Sequence, residues 1–575
     1  MGTPRWQRMR IAVARVSLIA ATAGALIAVE SGASDKAAVD VDMSQYVVRA
    51  DRVLPQPESW RYVLVPAGVL ERGKKVVVAS GYEVLSNLSE KNTRVFVEEL
   101  QRRQLAGTIL WPTIIEALPR EPMIVVLDRT RQAFMPADVD VAQSWESDAI
   151  STPEHTSEGF VSFEVADAGP EMDSRLTAIG RSSSYGTMGT RYGGDVPMKS
   201  GTFDGAFDSP KLMRPLSAGV VVLRARDGVV ATLINADSPA GMSRLGEEMI
   251  AAGLSKEAAV FGMRSMSNPP PLWFREGMGW LVYTSEVSRK KIAFAGVAVD
   301  FTGQLVPSLL TVFQKTEKLS FNEVMLAGAF THYCLYGNNR KLAPNFIQFM
   351  ERLEREPVSE QLFKECFRRT TKKMEVELAS QGRGMAAFAS MELKGRLPEL
   401  PAFSIREATQ SEVARLKADA FITQGLWDQA LDVLRIAYWR GEREPEMLAV
   451  LATLEERVGS VERARKLSKA LMALPKPPAR ILIVEAKLRY RKALEGKAEG
   501  EKLTVAQIQP VLTLLAQAVK AGQNTETLWA FFSEVVLRGE GKPHASTGGY
   551  LVKAAERYPR NSIIREAARK AEGAL

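Results

Sequence analysis

Apolar and polar positions alternate with different periods along this chain, and each change of period marks a change of structure. Tyr82–Asn87 and Pro122–Asp128 carry short β-rich runs, and a helical period from about Glu90 to Arg103 lies between them. Gly219–Leu223 and Val229–Ile234 form a second strand pair around the turn Arg226-Asp227-Gly228. A helical stretch at Arg244–Ala251 follows, and then the segment Pro270–Tyr283, a proline-rich entry into a short aromatic helix. Leu326–Cys334, Phe346–Leu353, Glu360–Phe367 and Lys373–Leu378 read as further short helices. Between 136 and 215 Asp, Ser, Gly and Thr dominate, with one strand-like run at Gly159–Val165, as in a surface insertion.

Beyond residue 407 the pattern is helical with a repeat of 34. Ala418, Phe421, Gly425, Trp427, Ala430, Leu434 and Ala437 set small and apolar residues where paired helices touch. Ala452, Gly459 and Ala464 recur thirty-four residues on, and Ala486 continues the first-helix series. This spacing resembles tetratricopeptide repeats, a resemblance that implies a protein-binding superhelix; a generic array of helical hairpins has nearly the same shape. After a long loop at Gly496–Lys502, helices are expected near Val505–Ala521, Thr525–Leu537 and Gly548–Tyr558. Phe421, Trp427, Tyr438 and Trp439 are the candidate protein-binding surface of the repeats.

Composition narrows the class without fixing a function. The 575 residues are 46% hydrophobic and 25% charged, enough for two or three cores. Formal charge is +8, and no basic run is interleaved with aromatics as a nucleic-acid surface requires. Arg5, Arg8 and Arg10 precede the uncharged run Val16–Val29 and the small residues Ser31-Gly32-Ala33, the pattern of a secretory signal. An uncleaved anchor is the other reading of that run. Export implies a periplasmic or secreted protein with no stable membrane span after cleavage. Ser182–Gly194 has the glycine content of a phosphate loop but lacks its Gly-Lys-Ser/Thr ending. Cys334 and Cys366 would form either one disulfide in an oxidising compartment or two buried small hydrophobes.

The candidate chemistry sits at Pro270–Tyr283. Its Trp273-Phe274-Arg275-Glu276-Gly277 core resembles the glutamate-bearing helix of gluzincin metallopeptidases, and the order strand, strand, helix, loop, glutamate helix agrees. The likeness covers roughly residues 74–381 and implies an α+β peptidase-like domain. In that family the glutamate is the third zinc ligand, and an earlier HExxH helix supplies two histidines and a catalytic glutamate. Aligning Glu248 with that catalytic glutamate sets Glu247 and Ala251 at the histidine positions, where a methyl group cannot hold a metal. None of the three histidines, His155, His332 and His544, begins such a motif.

The expectation is therefore a signal peptide (1–33), a β-rich lead-in (34–73), a gluzincin-like domain (74–381), a linker (382–407) and tetratricopeptide-like repeats (408–575). Function is expected to be non-catalytic binding or scaffolding of a polypeptide partner, with no catalytic residue, cofactor or metal. Glu247 and Glu248 then read as a solvated acidic pair, and His332 as a packed residue. The competing expectation is a zinc peptidase with an atypical site, using Glu248 as base and Glu276 as ligand. A site rebuilt from His332, Glu247 and Glu276 is its variant. A plain α+β domain followed by repeats is the third reading.

Overall fold

A computed structural model describes residues 58–72, 75–119, 121–129, 223–226, 229–236, 245–266, 268–294, 307–337, 340–383, 389–392, 397–498, 500–541, 544–559 and 561–572. The signal-like start, the 136–215 insertion and the glycine-rich Ser182–Gly194 run lie outside them, as do residues 219–222 of the expected strand. The protein is mixed α/β at its centre with a helical C-terminal region.

Strands β1 (Arg61–Val65), β2 (Gly68–Arg72), β3 (Lys75–Ala79) and β4 (Tyr82–Ser86) open the described chain. β1 and β4 are antiparallel, and the β2–β3 hairpin rises between them. Helix α1 (Glu90–Leu110), capped by Ser89, and the short α2 (Pro112–Glu116) lead to β5 (Met123–Asp128). β6 (Arg224–Arg226) and β7 (Val229–Asn235) follow. β4, β5 and β7 pair in parallel, and β6 closes one edge antiparallel to β7. Every residue of β5 is buried, which explains its unbroken apolar run: a central parallel strand is covered on both faces.

One face of this sheet is covered by α1 and α3 (Leu245–Arg264), with Val63, Val84, Val125 and Ile234 packed against Phe96, Leu100, Ala251 and Leu254. α4 (Leu272–Thr284) follows and runs into a small sheet of β8 (Ser285–Val287), β9 (Lys291–Phe294) and β10 (Ala389–Glu392). The helices α5 (Leu309–Gln314), α6 (Phe321–Leu335), α7 (Ala343–Leu353), α8 (Glu360–Phe367) and α9 (Thr371–Arg383) surround Trp273. The Trp273 ring lies 4.5 Å from Phe313 and 5.8 Å from Phe330, centroid to centroid. Cys334 and Cys366 are both buried here and both free.

The span expected as a linker contains β10 and β11 (Arg406–Glu407), and β11 pairs with β1 on the sheet edge. Helices α10 (Gln410–Gln424), α11 (Trp427–Trp439), α12 (Pro445–Arg457), α13 (Val461–Met472) and α14 (Ala479–Leu494) then stack in pairs. The series continues with α15 (Val505–Lys520), α16 (Glu526–Arg538), α17 (Ala545–Arg557) and α18 (Ser562–Glu572). Ala418, Ala452 and Ala486 have no exposed surface, so the small residues of the repeat pattern do mark helix contacts. Gly425 ends α10 at φ +83°, a backbone state that residues with a Cβ rarely adopt.

The first helix of this array belongs to the sheet as much as to its neighbours. Val413, Leu416 and Ala420 of α10 pack on Trp60, Leu85, Ile124, Val126 and Ala231, the second face of the sheet. Arg415 adds a half-buried ion pair to Glu83 of β4, 3.1 Å away. A chain ended after Glu407 uncovers that apolar face and is expected to be insoluble or to bind a hydrophobic dye with loss of near-ultraviolet dichroism. A soluble 1–407 fragment with native dichroism would contradict the shared core.

Candidate functional site

α3 and α4 form a helical hairpin, and its register decides which residues meet. The two helices run antiparallel. Arg264 near the end of α3 reaches Glu276 early in α4, its guanidinium 3.8 Å from the carboxylate. Further along, a Cβ placed on Gly279 would lie 2.8 Å from Val260 Cγ2 and 3.2 Å from Lys256 Cγ. At the far end Glu248, Met249 and Ala252 share a shallow cleft with Tyr283, Thr284, Ser285, Glu286 and Arg103.

Two glycines make this closeness possible. Gly277 and Gly279 are two residues apart on α4 and therefore face nearly opposite directions. A Cβ on Gly277 would stand 2.7 Å from the Ala327 carbonyl oxygen and 2.8 Å from Thr331 Oγ1 on α6. Gly279 turns to α3. α4 is thus clamped between two helices, and Trp273 fixes its first turn in the aromatic core.

The structure does not bring the four aligned residues together. Glu247 and Ala251 lie in the first two turns of α3, whereas Glu276 faces its later turns. Nine residues separate Glu247 from Lys256, about 13 Å along the axis. Glu248 lines the cleft at the other end of the hairpin, and Ala251 has no exposed surface and packs under the sheet with Ile234 and Leu254. The solvated acidic pair is corrected in one half: Glu247 is buried, with Oε2 lacking a hydrogen bond, and only Glu248 reaches the partly open cleft.

What surrounds Glu276 instead is a charge cluster that the motif alignment missed. Lys256 is buried, and its Nζ lies 3.3 Å from Glu257 Oε1. Glu276 is 2% exposed, and its Oε2 has no hydrogen-bond partner. Burial pushes the Glu276 carboxyl above the usual carboxylate range. The nearby Lys256 charge is the strongest influence in the other direction, ahead of Arg264 and Arg275, while Glu257 adds to the rise. A buried carboxylate with no cation beside it would cost several kcal/mol, which is the physical reason for a lysine in this dry interface.

The donor set does not fit a catalytic zinc. Three strong ligands are not assembled: Glu247 and Ala251 are remote from Glu276, and the α3 side chains packed against Gly279 of α4 are Lys256 and Val260. Among the described residues no group of three His, Cys, Asp or Glu side chains is placed to hold a metal ion. His332 does not join the cluster through a shared ion pair or hydrogen bond. It is buried on α6 and hydrogen-bonded to the Phe294 backbone, and burial depresses it to about 4. Its role is packing between α6 and β9.

The proposed repeat surface is also altered. Phe421 and Tyr438 are buried in the core of the array, because each sits on the stripe that meets the next helix. Trp427 lies between the guanidiniums of Arg226 and Arg457, at 4.8 and 4.1 Å from its ring. Trp439 alone of the four is exposed, at 39%. No described helix is long and apolar enough to cross a membrane. Comparison of the chain with protein-family models, curated proteins and solved structures found no match.

Two predictions follow from these burials. Lys256→Met is expected to lose about 3 kcal/mol, Glu276→Gln to be neutral or stabilising at neutral pH, and the double variant to recover most of the loss. Glu276 favours its protonated form when folded, so wild-type stability falls relative to Glu276→Gln as pH rises above the ordinary carboxyl value. Denaturant titration of the four proteins checks this; additive losses would remove the coupling. For His332 the sign is opposite: its stabilisation is complete above about 6.5 and is lost as pH falls toward 4. Wild type should lose about 3 kcal/mol relative to His332→Asn between pH 7 and 4. Parallel stability–pH curves would refute the buried neutral imidazole.

Proposed function

We propose that this protein is an exported, non-catalytic binding or scaffold protein, built on a zinc-peptidase-like domain without a working metal site. Its tetratricopeptide-like helices join that domain in engaging a polypeptide partner in the cell envelope. The observation that carries the reading is that the aligned positions do not meet: Ala251 packs under the sheet, while Glu276 is buried beside the later turns of α3, near Lys256 and Arg264. The Lys256 ammonium offsets part of the cost of the Glu276 charge and supplies no Lewis acid to polarise water or a peptide carbonyl.

The peptidase likeness is supported by the order of β6, β7, α3 and α4 and by the burial of Glu276 against α3. The binding role is supported by the stacked helices beyond residue 407, an architecture suited to long contact surfaces. The expected outcome of metal analysis on purified protein is no stoichiometric zinc, with no peptide hydrolysis that responds to added zinc or to a chelator. One firmly held zinc per chain, lost in Glu276→Ala together with hydrolysis, would overturn the proposal in favour of an atypical peptidase.

A further inference from the structure

We infer that the outward face of α13 and the adjoining end of α14 dock an acidic stretch of the polypeptide partner through four lysines, Lys466, Lys469, Lys476 and Lys492. The inference rests on the binding role proposed above and deepens it, because it names the chemistry of the partner.

Charge is unevenly placed along this chain. Residues 461–497 hold eleven Lys and Arg against three Glu, a surplus of eight. The whole chain, with 75 against 67, has the same surplus, so the remainder is balanced. Packing of the array occupies most of these cations. Arg463 holds the fully buried Glu455 of α12, Arg480 holds Asp419 of α10, and Arg491 holds Glu456. Arg465, Lys487, Arg489 and Lys497 each lie at most 3.9 Å from a glutamate carboxylate. Lys466, Lys469, Lys476 and Lys492 are exposed, and among the described residues their ammonium groups make no ion pair.

These four ammoniums follow the length of the α13–α14 pair. Lys466 and Lys469 are three residues apart on the outward face of α13, whose Ala464, Leu467 and Leu471 turn to the core. α13 packs on α12 and α14, which leaves that face to solvent. Arg465 approaches Glu495 to 3.7 Å, and this brings Lys492, one turn before Glu495, to the same end of the pair. Lys476 stands at the other end, in the connection between the helices, with Pro475 before it and Pro477-Pro478 after it. Prolines fix the backbone there, so little freedom is lost when a partner binds.

The makeup of the strip selects the partner. Among the described residues of α13 and α14, no large apolar side chain is exposed. A bilayer surface is gripped by a buried apolar face, and single-stranded nucleic acid by stacking on aromatics. The strip offers neither. All four free cations are lysines, point charges without the planar fork by which arginine grips a phosphate in two places. Carboxylates on a flexible chain need only such charges at about one-turn spacing.

The test compares two full-length variants with the same loss of charge. One is K466Q/K469Q/K476Q/K492Q; the other is K364Q/K372Q/K520Q/K553Q, which removes exposed lysines of other helices. Binding of a fluorescent peptide of alternating Glu and Ser is followed by anisotropy at about 0.15 M salt. Wild type and the second variant should bind alike, the first variant roughly tenfold or more weakly, and added salt should weaken the wild type. Equal losses in the two variants, or no binding by wild type, would overturn the inference. Wild-type binding to phosphatidylglycerol vesicles but not to the peptide, lost in the first variant, would overturn it in favour of a lipid surface. Cleavage of the peptide that a chelator stops would instead defeat the non-catalytic reading, whereas an intact peptide indifferent to the strip removes only the acidic partner.

Discussion

A carboxylate held out of water between two packed helices constrains the whole central domain. Glu276 has almost no exposed surface and one oxygen without a partner, and its surroundings are arranged to tolerate it. Glycines on opposite sides of α4 bring α3 and α6 close enough to exclude solvent. That exclusion raises the cost of the charge, and Lys256 and Arg264 offset it from α3. Lys256 brings charge to this interface without Lewis acidity. A point charge with three N–H donors has no empty orbital to accept electrons from a carbonyl.

The same economy of layers governs the rest of the fold. A sheet whose central strands are parallel needs cover on both faces. α1 and α3 supply one cover, and the second comes from α10, the helix that also starts the C-terminal array. The two parts consequently share a core, with Arg415 and Glu83 pairing across it and Arg226 stacked on Trp427. A partner bound along the helices would act on a surface continuous with the sheet that positions α3.

Much of the element order was legible in the residues because each element must bury a face with its own period. β5 reads as a strand from its unbroken apolar run, and α8 from its amphipathic pattern between Ser359 and Arg368. The alanine and glycine spacing at 34 residues located the helix contacts of α10 and α12. Pairing between faces was harder. The acidic pair Glu247-Glu248 drew the motif to the start of α3, although the short connection between α3 and α4 favours residues near 260 as the neighbours of Glu276. Phe421 and Tyr438 illustrate the same gap, since a large aromatic on a helix stripe has the same sequence signature whether it meets a neighbouring helix or a partner.

Lys256 was invisible to motif reading for a chemical reason: the search was for metal donors, and an ammonium is not one. The most direct test of the non-catalytic proposal is an anomalous-diffraction map at the zinc absorption edge from crystals of the wild-type chain grown with zinc. The prediction is an empty anomalous map between α3 and α4, with the Lys256 ammonium in clear density beside Glu257 and facing the helix of Glu276. An anomalous peak bonded to Glu276, with Lys256 turned away from it, would contradict the proposal of a domain without a working metal site.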